Sequence, residues 1–167
     1  MVRSNGDFYR IVHSMENLVS EAFSYRHDPA VPKFPDDRPI IIFDGKCVLC
    51  SGFAQFVLRH DKRQRFRLMA AQTSIGEALY RHLGLDPKNY QTNILLEDGY
   101  AWFKSEGSIR MFVKLGLPWS LVAILRVVPV SFLDKLYAVV ARNRLRWFGV
   151  RETCLLMDAT HADRFIV

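Results

Sequence analysis

Two cysteines, Cys47 and Cys50, are separated by two residues and are the pair in this sequence best suited to chemistry. They follow an apolar, β-branched run that begins at Pro39, and they precede an amphipathic stretch. The pair is therefore expected at the junction between a strand and a helix. A thiol in the first turn of a helix faces unpaired backbone N–H groups and the positive end of the helix dipole, which favour the thiolate. The pattern predicts a nucleophilic dithiol.

The two thiols are expected to play different parts in disulfide exchange. Cys47 is nearer the predicted helix start and is expected to be the more exposed, so it should attack a disulfide as the thiolate. Cys50 is one turn deeper and should resolve the mixed disulfide. Lys46 adds positive charge beside the nucleophile. Asp44 is expected to cap the turn or to help move the Cys50 proton, and the turn role is favoured because aspartate before glycine is common in turns.

A metal site is the main chemical alternative for this dithiol. A CxxC pair supplies two thiolates that zinc or copper(I) could share with Cys154 or a histidine. The sequence has no second CxxC pair and no H-x-x-x-H motif to complete a tetrahedral structural site. Redox chemistry without a metal or other cofactor is therefore favoured, and Cys154 is expected to be a small buried hydrophobe.

Composition limits the class of protein. A chain of 167 residues, half of them hydrophobic, is long enough for a domain with a real core, and three cysteines do not make a disulfide scaffold. Charged residues near the start interrupt the apolar run that a secretory signal needs, so a reducing cytoplasm is expected.

The net charge of +6 is concentrated in two basic clusters. One comprises Arg59, Lys62, Arg63, Arg65 and Arg67, and the other comprises Arg142, Arg144, Arg146 and Arg151. Such clusters attract nucleic acid or an anionic membrane surface, but no nucleic-acid motif accompanies them and no nucleic-acid partner is expected. Three arginines at every second position cannot share one helical face, so at least one of the second cluster should bind protein groups.

The chain is predicted to have two parts, residues 1–38 and residues 39–167. Apolar residues recur at spacings of three and four along 8–23 and form the stripe of an amphipathic helix. That stripe must be buried against the domain, a partner or a lipid surface, and mixed charges on its polar side favour the domain or a second copy. Prolines then predict a linker over 26–38.

The second part is predicted to be a thioredoxin-like domain with a mixed four-stranded sheet. Strands are expected at 40–43, 66–70, 92–96 and 100–103, with helices after the dithiol, at 75–83, and from an N-cap at Ser105 to Gly116. Asp98-Gly99 is a strong hairpin signal between the last two strands. This β-α-β unit followed by a hairpin and a helix places the dithiol where the first strand ends and the first helix begins.

The region after this unit is predicted to add helices at the C-terminal side. Residues 117–133 are apolar, but Pro118, Arg126 and Pro129 interrupt them short of the roughly 20 residues that a membrane span needs. Two packed or interfacial helices are expected instead, and the second should run on until Gly149. Together with 8–23, this region is the expected surface for peripheral membrane binding or self-association. An interaction module with an inert dithiol therefore remains an alternative to the redox function.

The motif Asp44-x-x-Cys47-x-x-Cys50, after a hydrophobic strand and before Phe53, resembles the signature of the DCC family of thiol-disulfide oxidoreductase-like proteins. The similarity continues through Glu97-Asp98-Gly99, Glu106-Gly107-Ser108, Tyr137 and the run from Ala141 to Gly149, over about residues 39–154. The resemblance implies a thioredoxin-like fold and dithiol–disulfide exchange. The implied partner is a disulfide-containing protein or a small thiol.

Overall fold

The computed structural model describes residues 21–151 and 159–167 as an α/β fold. Its strands are β1 (Ile40–Phe43), β2 (Arg67–Ala70), β3 (Ile94–Glu97), β4 (Tyr100–Trp102) and β5 (Phe165–Ile166). Its α-helices are α1 (Val48–His60), α2 (Ser74–His82), α3 (Lys104–Leu115) and α4 (Val130–Phe148). Short 3₁₀ helices span Ser24–His27, Trp119–Val127 and Ala159–Arg164. The predicted helix over 8–23 lies mostly outside the described residues.

The strands form one mixed sheet in the order β4-β3-β1-β2-β5. β1 is parallel to β2 and antiparallel to β3, and β3 pairs antiparallel with β4 across the predicted hairpin. This order is compatible with a thioredoxin-like arrangement. The expectation of four strands is wrong, because β5 adds a fifth strand parallel to β2. Two residues are too short to produce a strand pattern in the sequence, so β5 escaped prediction.

The sheet is buried on both faces, which explains the uninterrupted apolar run of β1. Ile40 and Ile42 pack on one side, against α2 and the residues around Tyr25. Ile41 and Phe43 pack on the other side, against α1 and α3. All four side chains are fully buried. Alternate residues of β1 therefore pack against two helical layers, and this packing fixes the position of Phe43 at the end of the strand.

The Pro-rich segment before β1 packs on the domain instead of extending away from it as a linker. Tyr25 and Val31 are buried in the core cluster that includes α2. Tyr25 stacks on Phe34 and donates a hydrogen bond to Asp36 at 2.7 Å. The prolines indicated correctly that no α-helix continues through this segment, but the apolar residues between them carried the packing.

Helix α3 begins two residues earlier than predicted, and Ser105 does not cap it. The N-cap position is Phe103, and Ser105 lies inside the first turn. Its hydroxyl instead donates to the Asp134 carboxylate on α4 at 2.5 Å, and its backbone N–H points to the same oxygen at 3.3 Å. These bonds fix the N-terminal part of α4 against the first turn of α3.

The expected helices after residue 117 are present, and many of their apolar side chains face solvent. Trp119 packs edge-on against Phe56 and His60 of α1, which anchors the start of the 3₁₀ helix. The exposed apolar set, called the apolar surface below, comprises Leu117, Leu121, Ile124, Leu125, Val127, Val130, Phe132, Leu136 and Val139. Among the described residues, no helix is long and apolar enough to cross a membrane.

Candidate active site

Residues 44–47 connect β1 to α1, and side-chain hydrogen bonds hold the turn that they form. Asp44 Oδ1 accepts a bond from the Lys46 backbone N–H at 3.0 Å, so the predicted turn-capping role is confirmed. The same oxygen accepts from Gln72 Nε2 at 2.6 Å, and Gln72 Oε1 accepts from the Gly45 N–H at 3.0 Å. Gln72 follows β2, so the two parallel strands together hold the turn that carries the dithiol.

Cys47 is the N-cap residue of α1, and its sulfur lies at the positive end of the helix. Its Sγ accepts a hydrogen bond from the backbone N–H of Cys50 at 3.4 Å. The Ser51 hydroxyl donates to the Gly45 and Cys47 carbonyl oxygens at 3.0 Å and 2.8 Å, which secures the first turn. A sulfur at this position interacts with the helix dipole most favourably as the thiolate.

The two thiols share one proton unequally. The hydrogen bond from the Cys50 thiol lowers the pKa of Cys47 to about 6, helped by the Cys50 backbone N–H and by the charge of Arg144, while burial and Asp44 oppose the change. The hydrogen bond to Cys47 and burial raise the pKa of Cys50. The arrangement therefore holds Cys47 as a thiolate at neutral pH and keeps the proton on Cys50.

Arg144 reaches the dithiol from α4, one hundred residues along the chain. Its Nη2 lies 2.9 Å from Asp44 Oδ2, and both side chains are more than nine-tenths buried. The expectation that at least one arginine of the second basic cluster binds protein groups is confirmed. Lys46 is exposed, and its supporting role stays a prediction. The cation that acts on Cys47 from inside the protein is Arg144.

The segment after α4 covers Cys47. In this covering segment, residues 149–151, the Gly149 carbonyl accepts from the Val48 N–H at 3.4 Å, and the Arg151 N–H donates to the Lys46 carbonyl at 2.7 Å. Val150 forms an antiparallel bridge with Cys47. Cys47 is 0% exposed and Cys50 is 5% exposed. The expectation that Cys47 is the more exposed thiol is therefore wrong, because a distant part of the chain pairs with its backbone.

A cavity of about 190 Å³ adjoins the other cysteine. Its lining residues come from α1, α3, α4 and the segment before β3: Leu49, Cys50, Phe53, Asn93, Ser108, Phe112, Tyr137, Val140, Ala141 and Arg144. Tyr137 secures one wall, because its hydroxyl accepts from the Asn93 N–H at 3.2 Å and lies 3.3 Å from Thr92 Oγ1. The set includes Cys50 but not Cys47.

The described residues give no support to the metal-site alternative for the dithiol. Within residues 21–151 and 159–167, no group of three or more histidine, cysteine or acidic side chains lies close enough together to hold an ion. Cys154, which that alternative needed as a third ligand, lies outside the described residues.

Comparison with known proteins decides the family. The model of the DCC1-like thiol-disulfide oxidoreductase family matches residues 41–150. This chain belongs to that family. It is 32% identical over 127 residues to the uncharacterized protein YuxK of Bacillus subtilis, covering 76% of this chain and 93% of that protein. It is 35% identical over 122 residues to a chloroplastic DCC family protein of Arabidopsis thaliana, covering 72% of this chain and 71% of that protein. No solved structure matches significantly.

The family match includes the residues placed around the dithiol from Asp44 to Val150, and Arg151 lies one residue beyond it. Sequence reasoning found the dithiol and Asp44, but it missed Gln72, the covering segment and the pairing of Arg144 with Asp44. The alternation of arginines in α4 was the one signal for Arg144, because it required one of them to face inward. Gln72 gave no signal, since a single glutamine after a strand has many possible roles.

Proposed function

We propose that this protein is a thiol–disulfide oxidoreductase in which Cys47 and Cys50 exchange electrons with a disulfide-containing partner. One observation carries the proposal: the Cys47 sulfur caps α1 and accepts a hydrogen bond from Cys50, with Arg144 as the nearby cation. A purely structural cysteine pair needs no such stabilisation of a thiolate. Family membership supports the same reaction class.

The two thiols act in sequence, because Cys47 is ionised and Cys50 is protonated. The Cys47 thiolate attacks one sulfur of a substrate disulfide, forms a mixed disulfide and releases the other substrate sulfur as a thiolate. Cys50 then gives its proton to solvent or to a nearby base and attacks Cys47 Sγ. The Cys47–Cys50 disulfide forms, and the second substrate thiolate leaves. The substrate disulfide gains two electrons, and the protein dithiol loses two.

A protein substrate needs the covering segment to move. The bridge between Val150 and Cys47 occupies backbone groups on both sides of the nucleophile, and Cys47 has no exposed surface while it is formed. Two backbone hydrogen bonds tie the segment down, at 3.4 Å and 2.7 Å. Opening breaks these two bonds, and exchange with a protein disulfide occurs in the opened state.

A redox titration with a Cys154→Ser background tests this proposal. The full chain is equilibrated in mixtures of reduced and oxidised dithiothreitol, and the Cys47–Cys50 disulfide is quantified by mass spectrometry. A reversible two-electron transition supports the reaction, and Cys50→Ser should then trap mixed disulfides with client proteins. A dithiol that stays reduced in every mixture, or that holds a stoichiometric metal, contradicts it.

The apolar surface favours a second function, peripheral binding to an anionic membrane. Residues 117–151 contain six cations and one acid, Asp134. Arg144 is buried against Asp44 and Arg126 pairs with Glu106, so the positive charge beside the exposed apolar side chains comes mainly from the exposed Lys135, Arg142 and Arg146 of α4. Two copies of such a surface would repel each other, whereas anionic lipid headgroups complement it. The most exposed side chains of this surface are Leu117, Ile124 and Val127, each at least 73% exposed.

Vesicle flotation distinguishes membrane binding from self-association through the apolar surface. The full chain should float with phosphatidylglycerol vesicles and less with phosphatidylcholine vesicles, and the Leu121→Ser/Ile124→Ser variant should lose this binding. Tyr100→Ser removes an exposed aromatic side chain elsewhere and should float as the native protein does. A native protein that self-associates, ignores both vesicles and becomes monomeric in the double variant contradicts lipid binding.

A further inference from the structure

The two sulfur atoms of the dithiol face different surroundings. Cys47 lies under the covering segment and has no exposed surface, while Cys50 retains slight exposure and lines the 190 Å³ cavity. A molecule that enters this cavity reaches Cys50 without displacing residues 149–151. The nucleophile of the proposed exchange and the thiol that faces the cavity are therefore different residues.

The cavity suits a small, mostly apolar molecule. Five of its lining residues are apolar: Leu49, Phe53, Phe112, Val140 and Ala141. An apolar cavity of about 150 Å³ takes up benzene, so 190 Å³ accommodates one aromatic ring or a short branched aliphatic group. A tripeptide thiol such as glutathione exceeds this space.

Arg144 gives the cavity an electrostatic preference. It lines the cavity and is 5% exposed, and its buried Nε has no hydrogen-bond partner among the described residues. One Arg144 Nη binds Asp44, so the ion pair uses only part of its hydrogen-bonding capacity. A buried N–H without a partner favours an acceptor or a negative charge beside it, and a thiolate supplies that charge.

We propose that this cavity is the entry site of the reductant, a low-molecular-weight thiol with an apolar body of about one ring, which attacks Cys50 Sγ of the oxidised Cys47–Cys50 pair. This inference rests on the proposed function. It assigns the two sulfurs to different partners: Cys47 exchanges with the client disulfide when the covering segment opens, and Cys50 receives the reducing thiol from the cavity while the segment stays closed.

The steps balance. The entering thiolate forms a bond to Cys50 Sγ, the Cys47–Cys50 bond breaks, and its electron pair leaves on Cys47. A second thiolate attacks the small-molecule sulfur of this mixed disulfide, which releases a symmetric disulfide and leaves Cys50 to take a proton from solvent. Two small thiols lose two electrons, and the protein disulfide gains them. Cys47 is the better leaving group because a sulfur with a lowered pKa departs faster.

The adduct position tests the inference on the oxidised full chain. Benzyl mercaptan is added, the reaction is quenched in acid after partial turnover, free thiols are alkylated, and fragmentation mass spectrometry locates the adduct. The expected result is the benzyl thiol on Cys50 and the alkyl group on Cys47. An adduct on Cys47 overturns the inference but leaves the proposed exchange standing. A protein in which no Cys47–Cys50 disulfide forms contradicts the proposed function itself.

Filling the cavity tests the route. Ala141→Leu adds three carbon atoms among the lining residues, and Ala138→Leu makes the same change on the same helix at a half-buried position that does not line the cavity. Reduction by benzyl mercaptan should slow by about tenfold or more in Ala141→Leu, equivalent to about 1.4 kcal/mol, and by less than about twofold in Ala138→Leu. Equal rates in the two variants overturn the cavity as the route, and the adduct position is measured in the native protein even if Ala141→Leu does not fold.

Discussion

Two buried aspartate–arginine pairs tie the C-terminal third of this protein to its βαβ unit, and they differ in what lies beside them. Asp61 at the end of α1 pairs with Arg164 before β5, with both side chains at most 4% exposed. Asp44 at the start of the turn before α1 pairs with Arg144 of α4. Both pairs join residues about one hundred positions apart. One stands at each end of α1, but the dithiol is at only one of them.

The two pairs also differ in how fully their hydrogen bonds are used. Asp61 accepts from the Phe66 backbone N–H as well as from Arg164, and Arg164 donates twice to the Phe66 carbonyl, so the pair closes a complete set of bonds. Arg144 keeps an unpartnered buried Nε among the described residues and exerts its charge on both cysteines. The Asp61–Arg164 pair fixes two elements of the fold, whereas the charges of the Asp44–Arg144 pair also act on the neighbouring thiols.

The largest expected effect comes from breaking the saturated pair. Arg164→Met leaves Asp61 buried without its cation and should lower the free energy of unfolding by about 3–5 kcal/mol. Chemical denaturation measures this value. Arg81→Met removes an exposed pair with Glu77 and should cost less than about 1 kcal/mol. The pKa of Cys47 should stay near 6 in both variants. A changed pKa of Cys47 in Arg164→Met would show that both buried pairs act on the thiol.

Breaking the second pair should act on stability and on the thiol together. Arg144→Met should cost about 2–3 kcal/mol, less than Arg164→Met, because Asp44 keeps the Lys46 N–H and Gln72 as donors. The pKa of Cys47 should also rise, so that the thiolate fraction at pH 6 falls from about half to about a tenth if the rise is one unit. The rate of iodoacetamide alkylation against pH measures it. An unchanged alkylation profile contradicts a tuning role for Arg144.

Two glycines allow the covering segment to be tested with a matched control. Gly149 after α4 and Gly116 after α3 have φ values of 90° and 82° with extended ψ, a conformation that other residues avoid. Replacing either by alanine should cost about 1–3 kcal/mol. Only Gly149→Ala loosens the segment over Cys47, so only this variant should speed alkylation of Cys47. Equal alkylation rates in the two variants would show that residues 149–151 do not limit access.

The most gradual expected effect is a pH dependence of the stability of the reduced protein. The folded pKa of Cys47 is about 6, below the value of about 8.5 of an unfolded chain, so its contribution is complete above pH 8.5 and is lost as pH falls toward 6. The free energy of unfolding should rise by at most about 1.4 kcal/mol per pH unit over that range. Above pH 8.5 the raised pKa of Cys50 makes the free energy of unfolding fall as the pH increases. Cys47→Ser should flatten the rise, and Arg164→Met should retain it.

Local patterns predicted the parts of this molecule that local physics determines. The apolar run Ile40–Phe43, the hairpin at Asp98-Gly99 and the end of α4 at Gly149 are set by residues next to one another in the chain, and each was predicted correctly. The dithiol position follows from the same logic, since it depends only on where β1 ends and α1 begins.

Long-range contacts account for what the sequence did not indicate. Arg144 meets Asp44 across one hundred residues, and β5 pairs with β2 near the end of the chain. The exposure of Cys47 was predicted from its place in α1 alone, and the bridge with Val150 reversed it. No spacing or periodicity encodes such pairings, because they depend on the packed positions of elements that are far apart in sequence.

The ionisation of Cys47 in the reduced protein is the decisive measurement, because the proposed exchange requires a thiolate at the start of α1. Ultraviolet absorbance of the thiolate is followed against pH in the Cys154→Ser background and again after adding Cys47→Ser. We expect one thiolate with a pKa near 6 that is absent from the Cys47→Ser variant, while Cys50 remains protonated to about pH 8.5 and beyond. A low-pKa thiolate that persists without Cys47, or a reduced protein with no thiolate below pH 8.5, would contradict the proposed exchange.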